Sequence, residues 1–233
     1  MTDAAPGADA HPRLSDAVTD AATGDPLREL VGVMDRLRSP GGCPWDAAQT
    51  HASLAPYAIE EAHELVEAIE AGDRAGLREE LGDVLLQVVF HARVAAEDAD
   101  DPFDVDDVAR DLVAKLVRRH PHVFAGADAP GDEAGQHAAW DRIKKAEKAR
   151  ESVFDGIPAT LGALARAQKV AGRAARAGLA SGGARSGAET DVGARLLALV
   201  LEAQAAGLDA EGELRRASAA WEKRLRDDEA SAP

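Results

Sequence analysis

Positive charge, aromatic side chains, cysteine and long apolar runs are all scarce in this chain, and each scarcity removes a class of function. The 233 residues include 27 lysines and arginines against 42 aspartates and glutamates, a formal charge of minus 15. That is the wrong sign for a protein that neutralises phosphates along a duplex, so no nucleic-acid partner is expected. The single cysteine, Cys43, cannot close an intramolecular disulfide or supply a cysteine-based zinc site, which fits a reducing compartment. No apolar run approaches the ~20 residues of a membrane-spanning helix, and the N-terminus lacks the charged and apolar regions of a signal peptide. The expectation is a cytoplasmic protein with no membrane partner. Aromatic residues make up only 3% of the chain while alanine recurs in nearly every segment, which favours packed helices over sheets.

What is present is helical punctuation. Residues 1–24 are small and polar, too poor in large apolar side chains to offset the entropy of ordering, and read as a tail. Leu27, Leu30, Val31, Met34 and Leu37 recur three or four apart and predict a first helix. Pro40, Gly41, Gly42 and Pro44 then break it and predict a rigid loop carrying Trp45 and Asp46. A second helix is expected from about Leu54 to Glu70, with Pro56 tolerated in its first turn, and Gly72 ends it. Asp73 can cap a third, running to about Ala96, and Asp104 with Asp107 opens a fourth that reaches Arg119 before Pro121. Further helices are expected over 133–150, 158–177, 192–206 and 210–226, with a Gly/Ser-rich linker over 178–187. The fold class is all-α, a helical bundle.

The chain also looks internally repeated. A shift of 111 positions matches Gly82, Leu85, Leu86, Val89, Ala92 and Ala95 to Gly193, Leu196, Leu197, Val200, Ala203 and Ala206. Glu80 and Asp83 meet Asp191 and Ala194 under the same shift, so the second copy is expected to be degenerate.

Chemistry concentrates in the first copy. Glu60-Glu61-Ala62-His63-Glu64 and Glu80-Leu81-Gly82-Asp83 lie on consecutive helices, and at 3.6 residues per turn Glu61 with Glu64, and Glu80 with Asp83, each share a face. Four carboxylates can then converge beside the apolar stretch Val84 to Phe90, where they repel one another unless a cation joins them. All-oxygen ligation selects magnesium or manganese over zinc or copper, and magnesium favours substrates that bear phosphates. Either acidic motif alone is more often a solvated helix face; both in consecutive helices are less easily explained that way. Downstream, Lys115 and Arg119 share a face and could grip phosphate oxygens, or could simply complement a helix C-terminus. Trp45, and Trp140 with Lys144 one turn later, could stack on a base or pack in a core.

Taken together, GCPWD at Gly42 to Asp46, EEAHE at Glu60 to Glu64, ELGD at Glu80 to Asp83 and RRHPHVF at Arg118 to Phe124 closely resemble the MazG family of nucleoside triphosphate pyrophosphohydrolases. The likeness continues through Trp140 to Lys144 and an IP-x9-QK pattern from Ile157 to Lys169. It implies an all-alpha fold, a homodimer, magnesium, and cleavage of a nucleoside triphosphate between its α and β phosphates to give monophosphate and pyrophosphate. By similarity Glu61, Glu64, Glu80 and Asp83 bind metal, with Glu60 as a second-metal or outer ligand. Lys115, Arg119 and Trp140 are the implied nucleotide contacts, with Lys144 and Trp45 beside them. Glu60 or Glu64 would accept the proton of the attacking water, so Glu60, Glu61 and Glu64 form the expected catalytic set. The organisation expected is a tail at 1–24, a catalytic module at 25–150, and a connecting helix, linker and shortened second module at 151–233. Housecleaning of nucleotide pools is the family's expected role. A di-iron bundle would need a second ExxH pair beside Glu60 and His63, and none is present. A non-catalytic helical interaction protein is the other alternative.

Overall fold

In the computed structural model, residues 24–126, 131–132, 135, 140, 143, 152–179 and 191–231 are described. Every regular element among them is helical, and none is long and apolar enough to cross a membrane. Contacts divide the chain into two compact units, Met1–Phe124 and Ala125–Pro233.

In the first unit α1 spans Pro26–Arg38, started by Asp25, whose side chain accepts from the Leu27 N–H at 3.0 Å, and by Pro26 at the first position. The expected loop around Trp45 contains a one-turn helix, α2 (Pro44–Ala48). Pro44 opens it: its fixed φ suits a first helical residue and its missing N–H costs nothing there. Helix α3 spans His51–Ala71 and starts three residues earlier than Leu54, because Thr50 and Ser53 form a reciprocal cap. Pro56 therefore lies beyond the first turn, where it removes the helical bond to the Ala52 carbonyl. Gly72 ends α3 at φ 65°, a left-handed conformation that glycine adopts without a Cβ clash. Asp73 caps α4 (Arg74–Ala95) as the sequence suggested, and Asp104 with Asp107 forms the expected capping box of α5 (Val105–Arg119). Pro121 starts a further turn, α6 (Pro121–Phe124).

Helices α3 and α4 form an antiparallel hairpin and α1 packs on α4. Met34, Leu54, Val89 and Phe90 are buried at the centre, with Leu30, Val31, Leu85, Leu86, Val94 and Val105 packed around them. Burial of four such side chains, each worth roughly 1.5–3 kcal/mol, is what fixes the hairpin against α1.

The second unit contains α7 (Ala163–Arg176), α8 (Val192–Ala205) and α9 (Ala210–Ser231). Helix α7 starts at Ala163 rather than near Pro158, since residues 159–161 turn and Gly162 takes the cap position, and α9 runs five residues past Arg226. Most of the expected helix over 133–150 and most of the linker over 178–187 lie outside the described residues, as does the tail up to residue 23; residues 135, 140 and 143 are described and helical. Gln168 ties α7 to the start of α9, donating to the Leu208 carbonyl and accepting from the Ala210 N–H. Of the positions matched by the shift of 111, Val89 and Val200 are both buried, whereas Leu196 and Leu197 are exposed where Leu85 and Leu86 are half-buried. Asp191, which matches Glu80, is the cap of α8 and accepts from the Gly193 and Ala194 N–H groups.

Candidate metal centre on the α3–α4 hairpin

Glu61 and Glu64 lie one turn apart on α3, and Glu80 lies on the facing side of α4. One carboxylate oxygen from each falls within 4.8 Å of the others. Asp83, one turn along α4 and half-buried, is not in that 4.8 Å set, but its charge acts on both Glu61 and Glu80. Burial holds the Glu61 carboxyl above the usual carboxylate range, and the charges of Asp83, Glu64, Glu60 and Glu80 push it further the same way. Glu80 is raised for the same reasons: burial first, then Glu64, Asp83 and Glu79.

Two features show that these carboxylates suit a cation. Every charge recorded as acting on Glu61 and Glu80 is negative. Glu80 Oε2 is also shielded from solvent with no hydrogen-bond partner. An ionised oxygen in that state is unfavourable unless something positive meets it. A donor set made only of carboxylate oxygens matches a hard divalent ion rather than zinc or copper.

Further along the hairpin the site becomes aromatic. Trp45 stands edge-on to Tyr57 of α3, with ring centroids 6.1 Å apart, and to Phe90 of α4 at 6.4 Å. Tyr57 is one turn before Glu61 on the same helix face. The Trp45 side chain remains half exposed. Its loop is fixed from below. A Cβ on Gly42 would stand 2.2 Å from the Leu37 carbonyl oxygen, so only glycine lets the chain cross the end of α1 there, and the Cys43 N–H donates to that same oxygen at 2.7 Å.

Arg38, whose side chain is only 7% exposed, donates through Nη1 to the Asp46 and Gln49 carbonyls at 2.7 and 2.9 Å and through Nε and Nη2 to Glu97. Arg93 donates to Glu97 and to Asp35. At the same end of the hairpin, His51 and His91 stack with their Nδ1 atoms 2.8 Å apart. Burial, then the neighbouring imidazole, holds His91 below the ordinary histidine range.

The other expected nucleotide contacts lie on other elements. Lys115 is exposed and Arg119 half-buried on α5, which packs against α4. Trp140 is a half-buried helical residue of the second unit, and Lys144 lies outside the described residues. Sequence reading passed over Arg38 and Gln87. Gln87 is 8% exposed and its Oε1 has no hydrogen-bond partner, an arrangement that costs about 1–3 kcal/mol. The available signal was a lone amide in the apolar run from Val84 to Phe90. Arg38 gave no such signal, because its carboxylate partner is 59 residues away.

This hairpin is also where the comparisons converge. The model of the MazG nucleotide pyrophosphohydrolase domain matches residues 49–124, which contain α3 through α6. A Streptomyces cacaoi protein, an uncharacterized 26.1 kDa protein, is 53% identical over 201 residues, covering 86% of this chain and 81% of that one. The chain belongs to the MazG family. It is 48% identical over 160 residues to the nucleoside triphosphate pyrophosphohydrolase of Mycobacterium tuberculosis, covering 69% of this chain and 48% of that one. It is 46% identical over 156 residues to the nucleoside triphosphate pyrophosphohydrolase of Escherichia coli K12, covering 65% and 58%. This MazG chain thus spans about half the length of the curated pyrophosphohydrolases it matches.

Proposed function

We propose that this MazG chain hydrolyses nucleoside triphosphates between the α and β phosphates, with magnesium held by Glu61, Glu64, Glu80 and Asp83. The observation that carries the reading is the convergence of Glu61, Glu64 and Glu80 within 4.8 Å, with Glu80 Oε2 buried and unpartnered. The names of the relatives support the same reaction class. When bound, magnesium supplies neutralisation of phosphate charge and Lewis acidity at the reacting phosphorus; manganese can do the same. The chain's own part is to hold and orient. Glu61 and Glu80 present oxygens that neighbouring carboxylates repel, a repulsion that a bound cation would relieve at neutral pH. Glu60 or Glu64 takes the proton of the water that attacks one phosphorus, while the bridging bond between the α and β phosphates breaks to give nucleoside monophosphate and pyrophosphate. Lys115 and Arg119 hold phosphate oxygens, and Trp45, Trp140 and Lys144 contact the nucleoside end.

The working form we propose is a homodimer in the cytoplasm, serving to clear nucleotide pools. On α5, Leu112, Val113, Leu116 and Val117 are all substantially exposed, an apolar strip that a second copy would cover. Glu61→Gln is expected to reduce magnesium-dependent triphosphate hydrolysis by about a thousandfold while leaving the circular dichroism of the helices unchanged. Undiminished hydrolysis by that variant would remove Glu61 from the metal ligands.

A further inference from the structure

The α4 residues Glu80, Asp83, Gln87 and Phe90 follow one another at helical spacings of three, four and three, so they form a single stripe along the side that meets α3. At 1.5 Å per residue, Gln87 lies about 6 Å beyond Asp83 and about 10 Å beyond Glu80 along the axis. Just past it stands Phe90, against which Trp45 rests, with Tyr57 on the Trp45 ring's other contact. The order along the hairpin is carboxylates, then one amide, then an aromatic cluster with a half-exposed indole.

The amide between those two ends is unsatisfied. Gln87 is more than nine-tenths buried and its Oε1 has no partner. The antiparallel register sets His51 against His91 and Glu61 against Glu80, which puts Leu54 and Ala55 opposite Gln87. Neither side chain can hydrogen-bond, so neither supplies the partner that Oε1 lacks. A glutamine amide offers a donor and an acceptor side by side, and rotation about its broad terminal torsion exchanges the two.

We propose that Gln87 is a specificity-determining residue that hydrogen-bonds the nucleoside part of the substrate, between the phosphates held at Glu61, Glu64 and Glu80 and a base stacked beside Trp45. The inference rests on the triphosphate reading of the carboxylate cluster. A buried amide oxygen without a partner in the protein gains its missing bond from a ligand with a polar edge at that depth, and gains none from a ligand without one. The two sources of such an edge in a nucleoside are a sugar hydroxyl and the nitrogens and carbonyls of the base.

The test is Gln87→Met, which keeps side-chain length and removes hydrogen bonding. Steady-state hydrolysis is measured on the four ribonucleoside and four deoxyribonucleoside triphosphates with magnesium. Binding of a non-hydrolysable α,β-methylene triphosphate is measured calorimetrically, and the melting temperature is recorded. The expected result is a KM and a dissociation constant raised about tenfold on the preferred substrate, with kcat nearly unchanged and the melting temperature equal or higher. A loss seen on ribonucleotides and absent from deoxyribonucleotides assigns the bond to the 2′-hydroxyl. A loss shared by both sugars and confined to particular bases assigns it to the base edge, and one uniform across all eight assigns it to the 3′-hydroxyl. Unchanged KM and binding on every substrate would overturn the proposal, as would a uniform fall in kcat accompanied by a lower melting temperature. A wild-type chain that neither hydrolyses nor binds any nucleotide would overturn the functional reading itself, and this inference with it.

Discussion

Glu80, in the first half of α4, and Glu97, just past its last turn, are placed in opposite electrostatic surroundings. Glu97 receives Nε and Nη2 of Arg38 at 2.9 and 2.8 Å and Nη1 of Arg93 at 2.7 Å, and the Arg38 hydrogen bonds, followed by the two guanidinium charges, hold its carboxyl below the ordinary range. Glu80 is raised by burial and by other carboxylates, and one of its oxygens has no partner. The first carboxylate is spent on the fold, tying α1 and the Trp45 loop to the end of α4. The second works against the fold, the pattern expected of a residue that serves a ligand rather than stability.

The largest effect that separates the two is on turnover. Glu80→Gln should lower magnesium-dependent hydrolysis about a thousandfold and yet leave the magnesium-free melting temperature equal or higher, because it removes a repelled charge. A variant that melts earlier and still turns over would erase the distinction. Arg38→Met makes the converse break. It deletes a guanidinium with a 7% exposed side chain and strands the Asp46 and Gln49 carbonyls, so denaturant titration should show a loss of about 2–4 kcal/mol. The Trp45 loop should loosen with it, seen as a red-shifted tryptophan emission; an unchanged midpoint would show that the clamp is dispensable.

The smallest effect is the dependence on pH, and its sign differs between the two ends. Glu61 and Glu80 have folded pKa values above their unfolded value of 4.5, so their ionisation costs stability at neutral pH, and that cost fades as pH falls through the raised values toward 4.5. Glu97 is depressed, so its contribution is fully present above 4.5 and is lost as pH falls below it through the folded value. Thermal melts should therefore show magnesium stabilising the chain by a few degrees at pH 7.5 and by less at pH 5. Glu61→Gln should flatten that difference. Equal stabilisation at both values would mean that the ion binds elsewhere.

Sequence made the local rules legible. The caps at Asp73 and at Asp104 with Asp107, the all-α class and the ExxE and ExxD spacings all depend on residues within one turn of each other. It misplaced the start of α3 because the Thr50 and Ser53 cap outweighs the cost of Pro56 beyond the first turn. It missed α2 because Pro44, close behind Pro40, Gly41 and Gly42, reads as a breaker when it is in fact a helix start. What it could not show is distance between elements. Four carboxylates on two helices were expected to converge, and three of them do within 4.8 Å. In the second unit Val200 is buried, as Val89 is in the first, and Asp191 caps α8, a role that depends on where that helix begins.

The most direct test of the account is phosphorus NMR of the products formed by the full chain from a panel of nucleoside triphosphates, with magnesium and with a chelator. The account predicts monophosphate and pyrophosphate in equal amounts, only when magnesium is present. Diphosphate with single phosphate, or product formation undiminished by the chelator, would contradict it.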